Sequence, residues 1–368
     1  MKIGTIKESR TGETRVALSP DVVKNFVKNG FECVIEQGAG MSSYFTDEAY
    51  KAAGAVILSS AADVFQQCDI LAKVNAPSDA EVSQLKEGSI IVSYLYHLTN
   101  PDLVAKLNAR KISVFSMDAM PRISRAQSMD VLSSQSNLAG YKAVLLAADH
   151  APKIFPMLMT AAGTITPARV VIFGAGVAGL QAIGTARRLG AVVEVTDIRP
   201  ETKEQVESLG GKFISFDTGG EVKTEGGYVK EAGEEVLKRQ REILKKHLAT
   251  ADAVITTALI PGKKAPVLIT NEMMSVMKYG SVIVDMAVEQ GGNCEASEAG
   301  KIVEKNGVKI IGLTNLPGML PQNASEGYAK NVFNFLTHLA TKDGMKWEMD
   351  EEITRGTLIC HNGNVLRS

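Results

Sequence analysis

Three glycines and an aspartate carry the clearest chemical signal in this chain. Gly174, Gly176 and Gly179 stand at G-x-G-x-x-G spacing in RVVIFGAGVAGLQAIGTARRLGAVVEVTDIR, residues 169–199, and Asp197 lies near its end. Gly174 permits a tight turn, Gly176 lets the backbone approach a pyrophosphate, and Gly179 lets a helix pack closely on a strand. The helix start that follows offers N–H groups and a positive dipole end to phosphate. Asp197 is placed to accept hydrogen bonds from a ribose 2′-OH and to repel a 2′-phosphate, which favours NAD over NADP. Arg199 is the residue type that receives a 2′-phosphate, so Asp197 must outweigh it.

A second concentration of polar groups is PRISRAQSMD, residues 121–130, with Arg122, Gln127 and Asp130, and Ser133 close behind. A polar run at the joint of two α/β units is where a cofactor crevice opens. The bland alternative is a solvated linker. Cys33, Cys68, Cys294 and Cys360 are scattered without C-x-x-C or metal spacing. They read as buried thiols of a reducing compartment, and no metal site is expected.

A glycine triplet alone is a weak signal, and its surroundings decide. Residues 170–173 are an apolar, β-rich run of the kind buried on both faces of a parallel sheet. Leu180, Ile183, Ala186 and Leu189 then recur at helical spacing until Gly190, and 192–195 read as the next strand. Further strands at 212–216, 253–257, 281–285 and 308–312 complete a six-stranded dinucleotide-binding sheet of order 3-2-1-4-5-6. Between Asp217 and Ala251 lies a charged helix, preceded by a glycine-rich stretch at 218–228 that reads as a loop ordered on demand.

Residues 1–120 alternate strand and helix signals, with strands at 3–6, 33–36, 55–58, 70–74, 90–94 and 112–115. Ser19-Pro20 and Asn100-Pro101 open helices, and Gly30 stops the first. Residues 323–338 form a helix whose stripe of Tyr328, Val332, Phe333 and Leu336 is core. Asn362-Gly363 marks a closing hairpin. Together these predict an α/β chain of two doubly wound, parallel-sheet (Rossmann-like) domains with a crevice between them. The first domain takes 1–131 plus 318–368. The second takes 132–317 and includes a mobile loop at 218–230.

A formal charge of −1 gives no field to recruit nucleic acid or an anionic membrane. No apolar run approaches the ~18–20 residues needed to span a bilayer. The amino terminus begins as a strand, without a signal-peptide core. A soluble, cytoplasmic chain is expected.

With these residues placed, the chain resembles the soluble NAD(H)-binding component, domain I of the alpha subunit, of proton-translocating nicotinamide nucleotide transhydrogenases. That component is similar in turn to alanine dehydrogenases. RVALSP at 15–20 and GAGVAGLQA at 174–182 are shared by both families. PRISRAQSMD at 121–130, EGGY at 225–228 and TTALIPGKKAPVLIT at 256–270 point to the transhydrogenases. The resemblance implies that Arg122, Gln127, Asp130 and Ser133 face the nicotinamide end of NAD(H), and that Tyr228, beside Gly227, closes over the nucleotide. Gly174, Ala175, Gly176, Val177, Ala178 and Gly179 in the turn, Asp197, Ile198 and Arg199 after it, and Thr257, Ala258 and Leu259 complete the contacts.

The implied activity is that of a Re/Si-specific, proton-translocating NAD(P)⁺ transhydrogenase, with NAD(H) on this chain and NADP(H) on a partner subunit. Catalysis would rest on Gln127, Arg122, Asp130 and Tyr228. The implied partners are the NADP(H)-binding subunit and a membrane-spanning subunit, with the chain itself a homodimer held at the bacterial inner membrane through them. Two alternatives are a soluble alanine or amino-acid dehydrogenase and a non-catalytic NAD-binding protein. For the dehydrogenase, Arg15 and Lys73 match the substrate-binding cations. The acid/base histidine of its Tyr-Leu-His run is replaced in Tyr94-Leu95-Tyr96, and His97, one place late, reads as a surface or structural residue.

Overall fold

Alternating apolar residues decide which face each strand presents, and they do so in two separate stretches of chain. The computed structural model is described for all residues except 216–222, 226, 227, 232, 233, 261 and 368. For 223–225, 228–231, 234–237, 239 and 240 the description covers the backbone alone. The chain divides into two compact units, Met1–Gln135 with Pro317–Ser368, and Ser136–Leu316.

In the first unit, strands Lys2–Thr5, Glu32–Glu36, Val56–Leu58, Ile70–Ala72, Ile90–Ser93 and Ser113–Ser116 pair in parallel. Their spatial order is the doubly wound 3-2-1-4-5-6. Cys33 and Ile35 pack with Phe26, Tyr328 and Phe335 on one face, and Val34 packs with Val64 and Phe65 on the other. This period of two gives the sheet two buried faces. Tyr328, Val332 and Leu336 of the Pro321–Leu339 helix are buried in the first layer. The Leu358–His361 and Asn364–Val365 strands turn about Asn362-Gly363, both at positive φ, and extend the sheet antiparallel to Ser113–Ser116.

The second unit is a seven-stranded sheet. Arg169–Phe173 lies at its centre, with Val192–Thr196 and Lys212–Phe213 to one side and Ala253–Thr256, Val282–Asp285 and Val308–Gly312 to the other. Val170 and Ile172 pack with Ala182, Ile183 and Ala186, while Val171 and Phe173 pack with Leu244, Leu248 and Met273. The seventh strand, Lys301–Lys305, corrects the six-strand expectation and pairs antiparallel on the edge. Its residues are mostly exposed, so it lacks the apolar pattern that marks a buried strand. Its signal was the turn: Asn306 and Gly307 both have positive φ, as a two-residue hairpin requires. The α/β class with two Rossmann-like parallel-sheet units therefore holds.

A long helix runs from Val131 to His150. A Cβ at Gly140 would collide with the Ala178 carbonyl, so glycine is what lets this helix approach the one that follows the glycine turn. In the 218–230 stretch, Lys223–Glu225 and Tyr228–Glu231 pair antiparallel, and the rest of that loop lies outside the described residues.

Candidate functional site

The glycine turn is built as its spacing requires. Gly174 has φ +103, and a Cβ there would strike the Thr257 hydroxyl. Any Cβ at Gly179 would overlap the Gly174 carbonyl oxygen. Around Gly176 a Cβ would meet nothing within 4 Å. Gly176 is also the N-cap of the Val177–Arg188 helix, and among the described residues no side-chain cap bond closes that start. Two glycines thus hold the turn together while the third faces open space at an uncapped helix end, the arrangement a pyrophosphate needs. Val177 is exposed, Ala178 half-buried and Ala175 buried.

Asp197 follows the Val192–Thr196 strand and is buried, with both carboxylate oxygens engaged. Oδ2 accepts from the Ala175 N–H at 2.7 Å and from Arg199 Nη2 at 2.9 Å. Oδ1 accepts from the Arg199 N–H and Nε, both at 2.9 Å. Arg199, expected as a competitor beside Asp197, is instead its ion-pair partner. Ile198 between them is half-buried.

Thr257, Ala258 and Leu259 run on from the Ala253–Thr256 strand toward the same edge. The Thr257 hydroxyl donates to the Phe173 carbonyl at 3.0 Å, which seats it over the glycine turn. Leu259 is exposed. This segment is tied by Asn293, the last residue of the 285–293 stretch that follows the fifth strand at the carboxyl edge where ligands sit. Asn293 Oδ1 accepts the Ala258 N–H at 3.0 Å, and its Nδ2 donates to the Ala258 and Pro266 carbonyls at 2.9 and 2.8 Å. Asp285, fully buried, fixes Asn293 in turn. Its oxygens accept from the Thr256 and Ser297 hydroxyls and from the N–H groups of Ala287, Asn293 and Cys294. Five donors answer the burial of that charge. The signal lay in DMAVEQGGN, residues 285–293, where a carboxylate ends a strand and a carboxamide follows two glycines.

In the first unit the polar run folds as a short 3-10 helix, Ser124–Met129. Ala126 and Met129 anchor it in the core, which leaves Arg122 and Gln127 exposed. Asp130 caps the following helix, accepting from the Ser133 N–H at 2.9 Å and hydroxyl at 2.6 Å. Asn331 and Asn334 both donate to the Ser128 carbonyl, at 2.8 and 3.0 Å. Asn331 also accepts from the Ser134 hydroxyl at 2.7 Å. The segment carrying Gln127 is therefore held from the Pro321–Leu339 helix. Gly227 and the side chain of Tyr228 lie outside the described residues.

The two cations of the dehydrogenase alternative are buried in pairs. Arg15 bonds Glu13 through Nε and Nη2, both at 2.8 Å, and Gln135 through Nη1 at 2.9 Å. Lys73 lies 2.9 Å from Glu81 and 3.5 Å from Glu8. Burial pushes the Glu13 carboxyl up, but the Arg15 bonds and charge outweigh it and hold it down at about 2. Burial dominates at Glu8 and raises it. Tyr96 is half-exposed at φ +50, its ring stacked on Tyr94 at 5.5 Å. His97 is buried, with Nδ1 unbonded, which removes the surface option for it. Burial, then the Arg367 charge, keeps its pKa low.

Among the described residues no group of three or more His, Cys, Asp or Glu could hold a metal ion. No helix there is long and apolar enough to cross a membrane.

Comparison with known proteins agrees with this geometry. Residues 4–139 match the alanine dehydrogenase/PNT N-terminal domain, and residues 143–368 match the C-terminal domain of the same family. The chain is 55% identical to an NAD(P) transhydrogenase subunit alpha chain of Rhodospirillum rubrum, over all of this chain and 98% of that one. It superposes on a transhydrogenase from Sinorhizobium meliloti with a TM-score of 0.87 and 43% identity, covering 100% and 99% of the two chains. An L-alanine dehydrogenase superposes with a TM-score of 0.85 at 26% identity, covering 100% and 97%. With both domain models matched and full-length relatives at this identity, the chain belongs to the alanine dehydrogenase/PNT family.

Proposed function

We propose that the chain is the NAD(H)-binding component of a proton-translocating NAD(P) transhydrogenase, serving direct hydride transfer between NADH and NADP⁺ held on a partner subunit. The carrying observation is the uncapped start of the Val177–Arg188 helix under a glycine turn with open space at Gly176. A pyrophosphate fits that cradle, and Asp197 stands at the next strand end for the ribose. The relatives named as transhydrogenase alpha subunits support the same reading.

The bound dinucleotide would supply the hydride at its nicotinamide C4. That transfer moves no proton at carbon, so the chain needs to orient and exclude water, and no acid/base pair is required. Gly174 to Gly179 would hold the phosphates, Asp197 the ribose, and Thr257 to Leu259 the adjoining wall. From the family resemblance, Arg122, Gln127, Asp130 and Ser133 take the nicotinamide end. A membrane-spanning partner would carry proton translocation. This chain would work as a homodimer on the cytoplasmic side of the bacterial inner membrane, attached through its partners.

The dehydrogenase alternative lacks its acid/base, because Tyr96 stands in that place and His97 is buried. The test is a titration of the protein with NADH followed by nucleotide fluorescence, then a single turnover with an NADP(H)-binding partner present. NADH binding and hydride transfer to NADP⁺ are expected. Alanine-dependent NAD⁺ reduction, or no transfer to any such partner, would overturn the reading.

A further inference from the structure

We propose that Asp197, beyond the repulsion expected of its charge, excludes a 2′-phosphate by engaging Arg199 in a bidentate ion pair. This rests on the dinucleotide reading of the glycine turn and goes past it, since it assigns Arg199 a role in specificity.

The geometry is a closed fork. Arg199 Nε sits 2.9 Å from Asp197 Oδ1, and Nη2 sits 2.9 Å from Oδ2. A bidentate guanidinium–carboxylate pair is among the stronger charge-assisted contacts. The side chains are only 6% and 17% exposed, so solvent screens the pair weakly.

Neither partner can swing away easily. The Ala175 N–H pins Oδ2 at 2.7 Å. On the other side, the Thr202 hydroxyl donates to the Arg199 carbonyl at 2.8 Å and its N–H to the same oxygen at 3.2 Å. Pro200 restricts the residue before it.

Position makes the pair informative. The carboxylate occupies the strand-end location from which an acid reads ribose hydroxyls. A guanidinium bonded to both of its oxygens lies about one hydrogen-bond length from that location. Arginine is also the residue type that takes a 2′-phosphate when no acid opposes it. Opening the fork for a phosphate would set a buried, unpaired carboxylate beside a dianion, and both changes are unfavourable. The arginine is thus present at the 2′ position and withheld from it.

Substituting the acid should therefore weaken the hold on Arg199 and ease its approach to a 2′-phosphate. Asp197→Asn keeps the shape and an acceptor for the Ala175 N–H while removing the charge. NADH and NADPH affinities are measured by fluorescence titration for the unmodified protein, Asp197→Asn, Asp197→Asn/Arg199→Gln and Asp197→Asn/Arg199→Lys. The single variant should gain NADPH affinity by about tenfold to a hundredfold, the scale of a charged hydrogen bond. The Gln double variant should lose that gain, and the Lys one should keep some of it.

An equal gain with and without Arg199 would mean that relief of repulsion explains everything, and the proposal falls. So does the absence of any gain in a single variant that still binds NADH. If the unmodified protein binds no NADH, the dinucleotide reading itself fails, and that outcome is distinct from the other two. Should Asp197→Asn fold poorly by circular dichroism, Asp197→Ser replaces it in every arm with the same expected order.

Discussion

Asn293 and Ala258 close a hydrogen-bonded ring across 35 positions of sequence: the carboxamide accepts the Ala258 N–H at 3.0 Å and donates to the Ala258 carbonyl at 2.9 Å. The side chain thereby acts as a short length of partner strand for a segment that has left the sheet. Removing it in Asn293→Ala strands the N–H and carbonyl of Ala258 and the carbonyl of Pro266. A loss of about 3 kcal/mol in unfolding free energy is expected, from unsatisfied groups costing roughly 1–3 kcal/mol each with partial rehydration. NADH affinity should fall as well, because Thr257 to Leu259 lose their fixed position. Wild-type stability and affinity together would show that this ring does not order the site.

Gly176 and Gly179 should separate binding from folding. Space around Gly176 is open, and its φ of −77° suits any residue. Gly176→Ala should melt within about 1 kcal/mol of the parent, yet the methyl would stand where a pyrophosphate must approach, and NADH affinity should drop at least tenfold. In Gly179→Ala the methyl overlaps the Gly174 carbonyl oxygen. That variant should lose about 3 kcal/mol or more, or not fold. A Gly176→Ala protein that binds NADH normally would move the pyrophosphate away from this turn.

Gln127 is exposed on a segment anchored by Ala126, Met129 and Asn331. Gln127→Asn removes one methylene from a side chain with no structural duty. Thermal stability should stay within about 0.5 kcal/mol of the parent. If the carboxamide orients the ring, the single-turnover hydride rate with the partner present should fall up to about 100-fold, as ~1 Å misplacement can cause. An unchanged rate would take Gln127 out of the catalytic group.

The two parallel sheets were legible because a strand buried on both faces must be apolar throughout, as Val170–Phe173 and Ile90–Val92 are. Helix starts were legible where proline follows a capping residue, as at Ser19-Pro20. An edge strand has no such constraint, which is why Lys301–Lys305 escaped and only its Asn306-Gly307 turn betrayed it. At the site, G-x-G-x-x-G located the turn because two of its glycines are sterically forced. The pattern could not say who holds the Asp197 carboxylate, since hydrogen-bond partners depend on side-chain direction. Asn293 stands in a stretch, 285–293, that the sequence places at the ligand edge, but its bonds to Ala258 and Pro266 cross to a neighbouring strand and depend on side-chain direction.

Glu13 and Arg15 give the first unit a defined response to acid. The carboxyl has an ordinary value of 4.5 and is held at about 2 in the folded chain, where burial raises it but the Arg15 bonds and charge lower it further. A depressed carboxyl contributes its full stability above the unfolded value. The contribution declines as pH falls below about 4.5 and is gone once pH passes below about 2. Its size at neutral pH is about 3 kcal/mol, since each tenfold difference in proton affinity between the two states is worth roughly 1.4 kcal/mol. Glu13→Gln mimics the protonated side chain and leaves the buried Arg15 without its charge partner. The variant should therefore be about 3 kcal/mol less stable than the parent between pH 5 and 7 in urea unfolding. The gap should narrow steadily below pH 4.5 and close near pH 2, because the parent then carries a neutral Glu13 as well. A difference that stays constant from pH 7 to pH 3 would mean that packing, and not the Glu13–Arg15 charge pair, is what the substitution disturbs.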